Sequence, residues 1–379
     1  MHFAFNDEQL ALIDSAKRFL GEHASFEKTL AAMQTEQGFD PQVWSTLTSE
    51  LGWTALTIPE AYGGYGLSHI DLAALMEEMG RNLLCAPFFS TVCLGANALL
   101  VAGSESQKQT HLPQIAAGTR RATLGVIEKD NHYKAVGINT VAQPIDGGFE
   151  ITGTKTMVID GHSADTLIIV ARQPNTYDQE GIGLYIVPAD AAGVERKLVP
   201  TIDQTRKRAR VVLDHVRVPA DALMQGNQSG WPAVTTILNL ASIALSAEQV
   251  GGAERCLNTA VEYAKIREQF NRPIGSFQAI KHKCADMLLS VESARSVAWY
   301  AAWAAAEHPQ ELAEAAAHAK SYCSEAFFHC AGESIQIHGG IGFTWEHEAH
   351  VYFKRAQSSQ NLFGAPSFHR ERIAEQLGL

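Results

Sequence analysis

From residue 6 to about 119, apolar side chains return every three or four positions, as Leu10, Ile13, Ala16, Phe19 and Leu20 do behind the capping candidates Asn6 and Asp7. That spacing lines one face of a helix, so the first third of the chain is expected to be helical. Breaks fall at Pro41, at Pro59 with Tyr62-Gly63-Gly64-Tyr65-Gly66, and at Pro87. Proline removes a backbone donor there, and the glycine run predicts a loop between helices. Between about 122 and 218 the pattern changes to short β-rich runs at 123–127, 149–152, 166–171, 183–187 and 210–213, separated by turn signals such as Asp146-Gly147-Gly148 and Gly161. From Trp231 the helical period resumes, with Pro232 fitting a first turn, and runs nearly unbroken to about 270. A single helix of that length spans on the order of 55 Å. Two alanine-rich helical stretches follow, at about 277–307 and 310–337, and helices this long usually pack as an antiparallel bundle. The expected fold is α+β and mostly α, with an N-terminal helical domain at 1–119, a middle β domain at 120–225 and a C-terminal helical bundle at 226–379.

Composition narrows the function classes. With 46% hydrophobic and 19% charged residues, 379 residues can bury a substantial core. A formal charge of -11 argues against nucleic acid or an anionic membrane as partner, since both select concentrated positive potential. The opening MHFAFNDEQL lacks the layout of a signal peptide, and Asn, Gln, Glu and Ser interrupt the most apolar helices, so a cytoplasmic location is expected. The six cysteines form no CxxC pair and read as reduced thiols.

Two segments could carry chemistry. In 267–278, Arg-Glu-Gln-Phe-Asn-Arg-Pro-Ile-Gly-Ser-Phe-Gln, a helix end, a turn and a new helix start offer Arg267 for paired hydrogen bonds to a phosphate and a phenylalanine to stack on a flat ring. A helix cap with a salt bridge explains the same residues. In 336–344, Gly339-Gly340 would let a ligand lie against the backbone and meet its amides. This turn follows a helix rather than a strand and lacks GxGxxG spacing, which excludes a Rossmann site. His347, Glu348 and His350 miss the HExxH spacing of a metalloprotease, so no metal is expected. Arg206, Lys207, Arg208 and Arg210 read as a solvated strand edge, with contact to a nucleotide phosphate as the alternative.

Taken together, Tyr62-Gly63-Gly64-Tyr65-Gly66, Gly153-Thr154-Lys155, Val216-Arg217-Val218-Pro219, 267–278 and 336–343 resemble the acyl-CoA dehydrogenase family in order and spacing across nearly the whole chain. The resemblance implies a C-terminal four-helix domain that assembles as a dimer of dimers with FAD at subunit interfaces. It also implies a reaction class: a carboxylate removes the α proton of an acyl thioester while the β hydrogen leaves as hydride to the flavin. A weakly acidic α proton needs a positioned base, donors to the carbonyl and a hydride acceptor.

The resemblance breaks at those parts. The common base, a Glu in a Tyr-Glu-Gly-Thr segment, corresponds to Phe363 in Leu362-Phe363-Gly364-Ala365, and the alternative base position on the long helix corresponds to Ala241, followed by Ser242. Within-subunit flavin contacts are also altered: Ile127-Glu128-Lys129 stands for Thr-Glu-Pro, Met157-Val158-Ile159 for Trp-Ile-Thr, Asn131-His132-Tyr133 carries no Gly-Ser, and Ala365 replaces a threonine. By contrast, the residues the family donates across the dimer interface are intact: Arg267, Gln269, Phe270, Gln336, Gly339 and Gly340. The resemblance therefore implies a chain that completes the FAD site of a homologous, catalytically competent partner, two of each per tetramer. The stretch 338–355 is most similar to bacterial heteromeric subunits acting on CoA thioesters of steroid side chains. A separate electron acceptor would reoxidise the flavin. Two other readings stand beside this one: a homotetrameric enzyme with Glu248 or Asp160 as relocated base, and a non-catalytic scaffold.

Overall fold

The computed structural model describes residues 6–129 and 133–379. In chain order, α1 (Asp7–His23), α2 (Phe26–Gln34), α3 (Pro41–Ser45), α4 (His69–Arg81), α5 (Asn97–Ala102) and α6 (Glu105–Ala116) lead into a run of strands. These are β1 (Ala122–Gly125), β2 (Val141–Ile145), β3 (Gly148–Ile159), β4 (Thr166–Arg172), β5 (Ile182–Pro188), β6 (Val194–Val199) and β7 (Arg208–Pro219). Then come α7 (Gly230–Ile266), the short strands β8 (Glu268–Gln269) and β9 (Arg272–Pro273), α8 (Gln278–Glu307), α9 (Leu312–His338), α10 (Ala349–Asn361) and α11 (Pro366–Gln376). The α+β, mostly helical class read from sequence is the observed one.

The elements gather into two compact units. One holds the chain up to Ala31, His69–Leu84 and Ser242–Leu379; the other holds Ala32–Ser68 and Cys85–Ala241. In the helical unit, Asn6 and Gln9 form a reciprocal capping box that starts α1. α9 packs against α8, α10 and α11 through a face of mostly small residues that includes Ala316, Ala319, Cys323 and Phe327. α4 and α7 approach until their backbones nearly touch. A Cβ on Gly80 would fall 1.9 Å from the Glu248 carbonyl oxygen, and one on Gly251 1.8 Å from that of Glu77, so only glycine fits at either position. Arg81 and Arg295 bridge this crossing to α8, reaching Glu254 at 2.5 and 2.6 Å, Glu78 at 3.0 Å and Glu77 at 3.2 Å.

In the other unit, a sheet runs β1-β4-β2-β3-β7-β6, with β5 also paired to β4. β1 and β4 are parallel, whereas β3–β7, β4–β5 and β6–β7 are antiparallel. Its core is aliphatic: Leu167, Ile169, Val187, Val211 and Val216 are among its fully buried members. β2 and β6 were not expected from the sequence. β6, Val-Glu-Arg-Lys-Leu-Val, is a charged edge strand; β2 carries Pro144, tolerated because β2 meets β4 only at Val141.

The basic cluster is a correction. β7 lies between β3 and β6, not at an edge, and Arg206 and Arg208 are buried. Arg206 stacks over Phe89 at 4.5 Å, and Lys207 Nζ donates to the Met33 carbonyl at 2.6 Å. The expectation that every apolar helix falls short of a membrane span is also corrected: α7 has the length and hydropathy for one. Of its apolar window 89% is buried inside the protein, as in a core helix.

Candidate active site

The segment 267–278 is more ordered than a helix end and a turn. Arg267 N–H donates to the Tyr263 carbonyl at 2.9 Å as α7 ends, and Ile274 N–H returns to the Arg267 carbonyl at 2.7 Å, closing the β8–β9 hairpin. Its two turn residues, Phe270 and Asn271, have φ of 56° and 59°, the geometry of a two-residue hairpin turn that favours Asn and Gly. Phe270 is held there with its ring 87% exposed. Phe277 supports it edge-on at 6.1 Å and carries Arg272 on its face at 4.0 Å. Arg267 and Gln269 are exposed, and the Arg267 guanidinium has no partner among the described residues.

The segment 336–344 is brought to the same end of the helical unit. The rings of Tyr263 on α7 and His338, last residue of α9, lie 4.6 Å apart, and His338 is further fixed by its Nδ1 on the Ser334 carbonyl at 2.7 Å and by the tilted ring of His347 at 4.2 Å. Gly339 then takes φ 65° and ψ −140°, a conformation for glycine, and a Cβ on Gly339 or Gly340 would meet nothing within 4 Å. Packing alone does not demand Gly340. Gln336, Gly339 and Gly340 are exposed. An unpaired guanidinium, a bare aromatic ring and an open stretch of backbone fit a flat, diphosphate-bearing cofactor such as FAD.

The two positions that the resemblance assigns to a base, 363 and 241, carry no group that can take a proton. Phe363 is buried at φ 61°, and Ala241 is fully buried on α7. The turn around Phe363 is nonetheless firmly held. Lys320 Nζ donates to the carbonyls of Gln360 at 3.0 Å and Gly364 at 3.2 Å and to Ser324 Oγ at 2.9 Å; His369 Nε2 lies 3.1 Å from the Phe363 carbonyl. Burial pushes the Lys320 ammonium down to about 7 and the His369 imidazolium down to about 3. Sequence reading missed Lys320; the signal was a lysine on the apolar stripe of α9, between Ala316 and Cys323. Of the relocated bases, Glu248 is bound to Arg355 at 2.7 Å, both buried, and Asp160 accepts from Ser90 Oγ at 2.6 Å. Glu348 is paired with Arg255 at 2.9 Å. Among the described residues no group of three His, Cys, Asp or Glu could hold a metal ion.

In the sheet unit, Glu128 is not open to a ligand. Its carboxylate accepts from the fully buried Lys155 at 2.6 Å and from Thr140 N–H and Oγ1 at 2.9 and 2.8 Å. Burial opposes its charge, but Lys155 and the Thr140 donors outweigh that and hold the carboxyl below its usual range, while burial takes Lys155 down to about 8. Beside this pair, β3 is irregular between Lys155 and Val158, and Met157 takes φ 54°. Asn131 and His132 lie outside the described residues. Burial pushes the thiols of Cys323 and Cys330 up to about 12, which makes both inert as nucleophiles.

Residues 6–119 match the acyl-CoA dehydrogenase N-terminal domain and residues 228–378 the acyl-CoA dehydrogenase C-terminal domain. The acyl-CoA dehydrogenase IpdE2 of Mycolicibacterium smegmatis is 33% identical over 372 residues, 98% of this chain and 99% of its own. The chain belongs to the acyl-CoA dehydrogenase family. Among solved structures, the ChsE4-ChsE5 complex from Mycobacterium tuberculosis is similar at 27% identity with a TM-score of 0.90, covering 100% of this chain and 99% of that one. A variant of the Tcur3481-Tcur3483 steroid ACAD is 29% identical with a TM-score of 0.87, covering 98% of each chain. Membership makes the protein an oxidoreductase of the acyl-CoA dehydrogenase type and supports FAD as its cofactor.

Proposed function

We propose that this chain is the non-catalytic subunit of a heterotetrameric acyl-CoA dehydrogenase. Arg267, Gln269, Phe270, Gln336 and the Gly339-Gly340 backbone complete the FAD site of a homologous catalytic chain, while its own catalytic site lacks a base. One observation carries this reading: the donated half-site is intact and exposed, with Arg267 unpaired, in a chain whose base positions are Phe363 and Ala241. Bound FAD supplies the acceptor for hydride from the acyl β carbon. The role of this chain would be to bind and orient: Arg267 would hold phosphate oxygens, Phe270 would offer its ring for stacking, and the glycine turn would offer amides.

Two similar structures, ChsE4-ChsE5 and Tcur3481-Tcur3483, are named as pairs of chains, and the second is named a steroid ACAD. They support a homologous partner and a steroid-type substrate; the α2β2 assembly and the CoA thioester of a steroid side chain are the finer reading proposed for this chain. A separate carrier would take electrons from the reduced flavin, and the complex would be cytoplasmic. The division at 1–119, 120–225 and 226–379 assigns interface contacts to the last segment. A relocated base is disfavoured, because Glu248 is engaged by Arg355 and sits roughly 10 Å along α7 from Ala241.

The test is flavin absorbance per chain, measured on the protein alone and with its candidate partner. About one FAD per two chains, in the mixture only, is expected for a tetramer with one working site in each mixed dimer. Stoichiometric FAD and acyl-CoA oxidation by the lone chain would overturn the reading.

A further inference from the structure

The sheet unit carries a half-open cleft of about 380 Å³ that includes none of the residues discussed above as flavin contacts or bases. His111 of α6, Arg120 before β1, Thr166 of β4, Ile186 of β5 and Arg196 of β6 line it. Its size falls within the range of small-ligand sites. Two guanidinium groups reach it from different elements, and neither has a carboxylate partner among the described residues. Arg120 Nη1 donates to His111 Nδ1 at 3.1 Å and lies 3.5 Å from Thr166 Oγ1. Arg196 Nη1 donates to the Ala164 carbonyl at 2.8 Å and the Gly161 carbonyl at 3.4 Å. Two acids share the lining: Arg121 Nε and Nη2 take the oxygens of Asp165 at 3.1 and 2.9 Å, with the charge of Arg120 acting on it as well, and Asp190 is exposed.

An imidazole that accepts at Nδ1 keeps its proton on Nε2, so His111 adds a donor. Burial first, and Arg120 second, lower the His111 pKa and keep the ring neutral. Arg120, Arg121 and Arg196 together bring three guanidiniums to Asp165 and Asp190, a local excess of positive charge in a chain of net charge -11. A carboxylate saturates a single guanidinium fork, whereas a phosphate has oxygens for two forks and an imidazole N–H.

We propose that this cleft binds a small phosphate monoester, whose oxygens accept from Arg120, Arg196 and His111 Nε2. The apolar Ile186, Pro188 and Ala189 flank the organic part, and the exposed Asp190 accepts from a hydroxyl on it. Isothermal titration of the full chain with ribose 5-phosphate tests this. Saturable binding is expected, about tenfold tighter than inorganic phosphate and about tenfold weakened in Arg120→Lys and Arg196→Gln. Arg120→Lys keeps the charge but loses the fork, and it decides the matter if Arg196→Gln disturbs β4. No saturation at about 10 mM ester, equal affinity for inorganic phosphate, or unchanged affinity in Arg120→Lys would each overturn the proposal.

Discussion

At Glu248 a carboxylate lies 2.7 Å from the Arg355 guanidinium, with 6% and 3% of the two side chains exposed. A proton acceptor in catalysis must change charge during turnover, and a carboxylate locked to a buried guanidinium resists doing so. Glu248→Gln would leave Arg355 buried without its counter-charge and is expected to destabilise the chain by about 3 kcal/mol in urea unfolding. Turnover of the assembled complex, per bound flavin, should stay within about twofold of wild type. A large loss of turnover with unchanged stability would instead make Glu248 the relocated base. The same unit holds Phe363 at a left-handed φ with Lys320 and His369 on its turn. The turn is tied down by these hydrogen bonds although the side chain it presents has no acid–base chemistry.

Among the elements, the β8–β9 hairpin shows most clearly a residue kept against local preference. Phe270 stands at a turn position that Asn or Gly would occupy without strain, at a cost of about 1 kcal/mol. Such strain persists where the exposed ring is wanted by something outside the chain. Phe270→Gly is expected to leave the thermal midpoint of the lone chain unchanged or raised, while weakening flavin retention by the complex about tenfold on fluorescence titration. Retention equal to wild type would mean that the ring does not stack. Much of the fold was legible because its elements are strongly periodic: α7, α8 and α9 begin and end within four residues of their expected bounds, and β4 and β5 within one. The hairpin was not legible, because two-residue strands have no period and Phe-Asn lacks the glycine that marks such a turn. β2 and β6 were missed for a related reason, being stabilised by their neighbours rather than by alternation of their own.

For the whole molecule, the proposed site residues in 267–270 and 336–340 stand out in the sequence as motifs, but Lys320, Arg355 and the Glu128–Lys155 pair acquire meaning only through tertiary burial that sequence spacing does not report. The donated half-site also gives the proposed assembly a built-in asymmetry. In a homotetramer every subunit both lends and receives flavin contacts, so an interface arginine counts equally in all of them. Here Arg267 of this chain would serve a flavin in the partner, whereas the corresponding arginine of the partner would face a site without a base. Arg267→Ala is therefore expected to lower the flavin content of the purified complex at least about tenfold, since it removes a charge-assisted phosphate contact in a desolvated site. The matching change in the partner should leave flavin content and turnover near wild type. Assembly serves as the control: both variants should retain the tetramer on sedimentation, because the arginine is exposed in the lone chain and supports no helix packing. Equal losses from the two substitutions would mean that both chains hold flavin and that the substitutions at Ile127 and Met157 are compatible with a working site. A loss confined to this chain's arginine would assign each flavin to the partner and each donated half-site to this subunit.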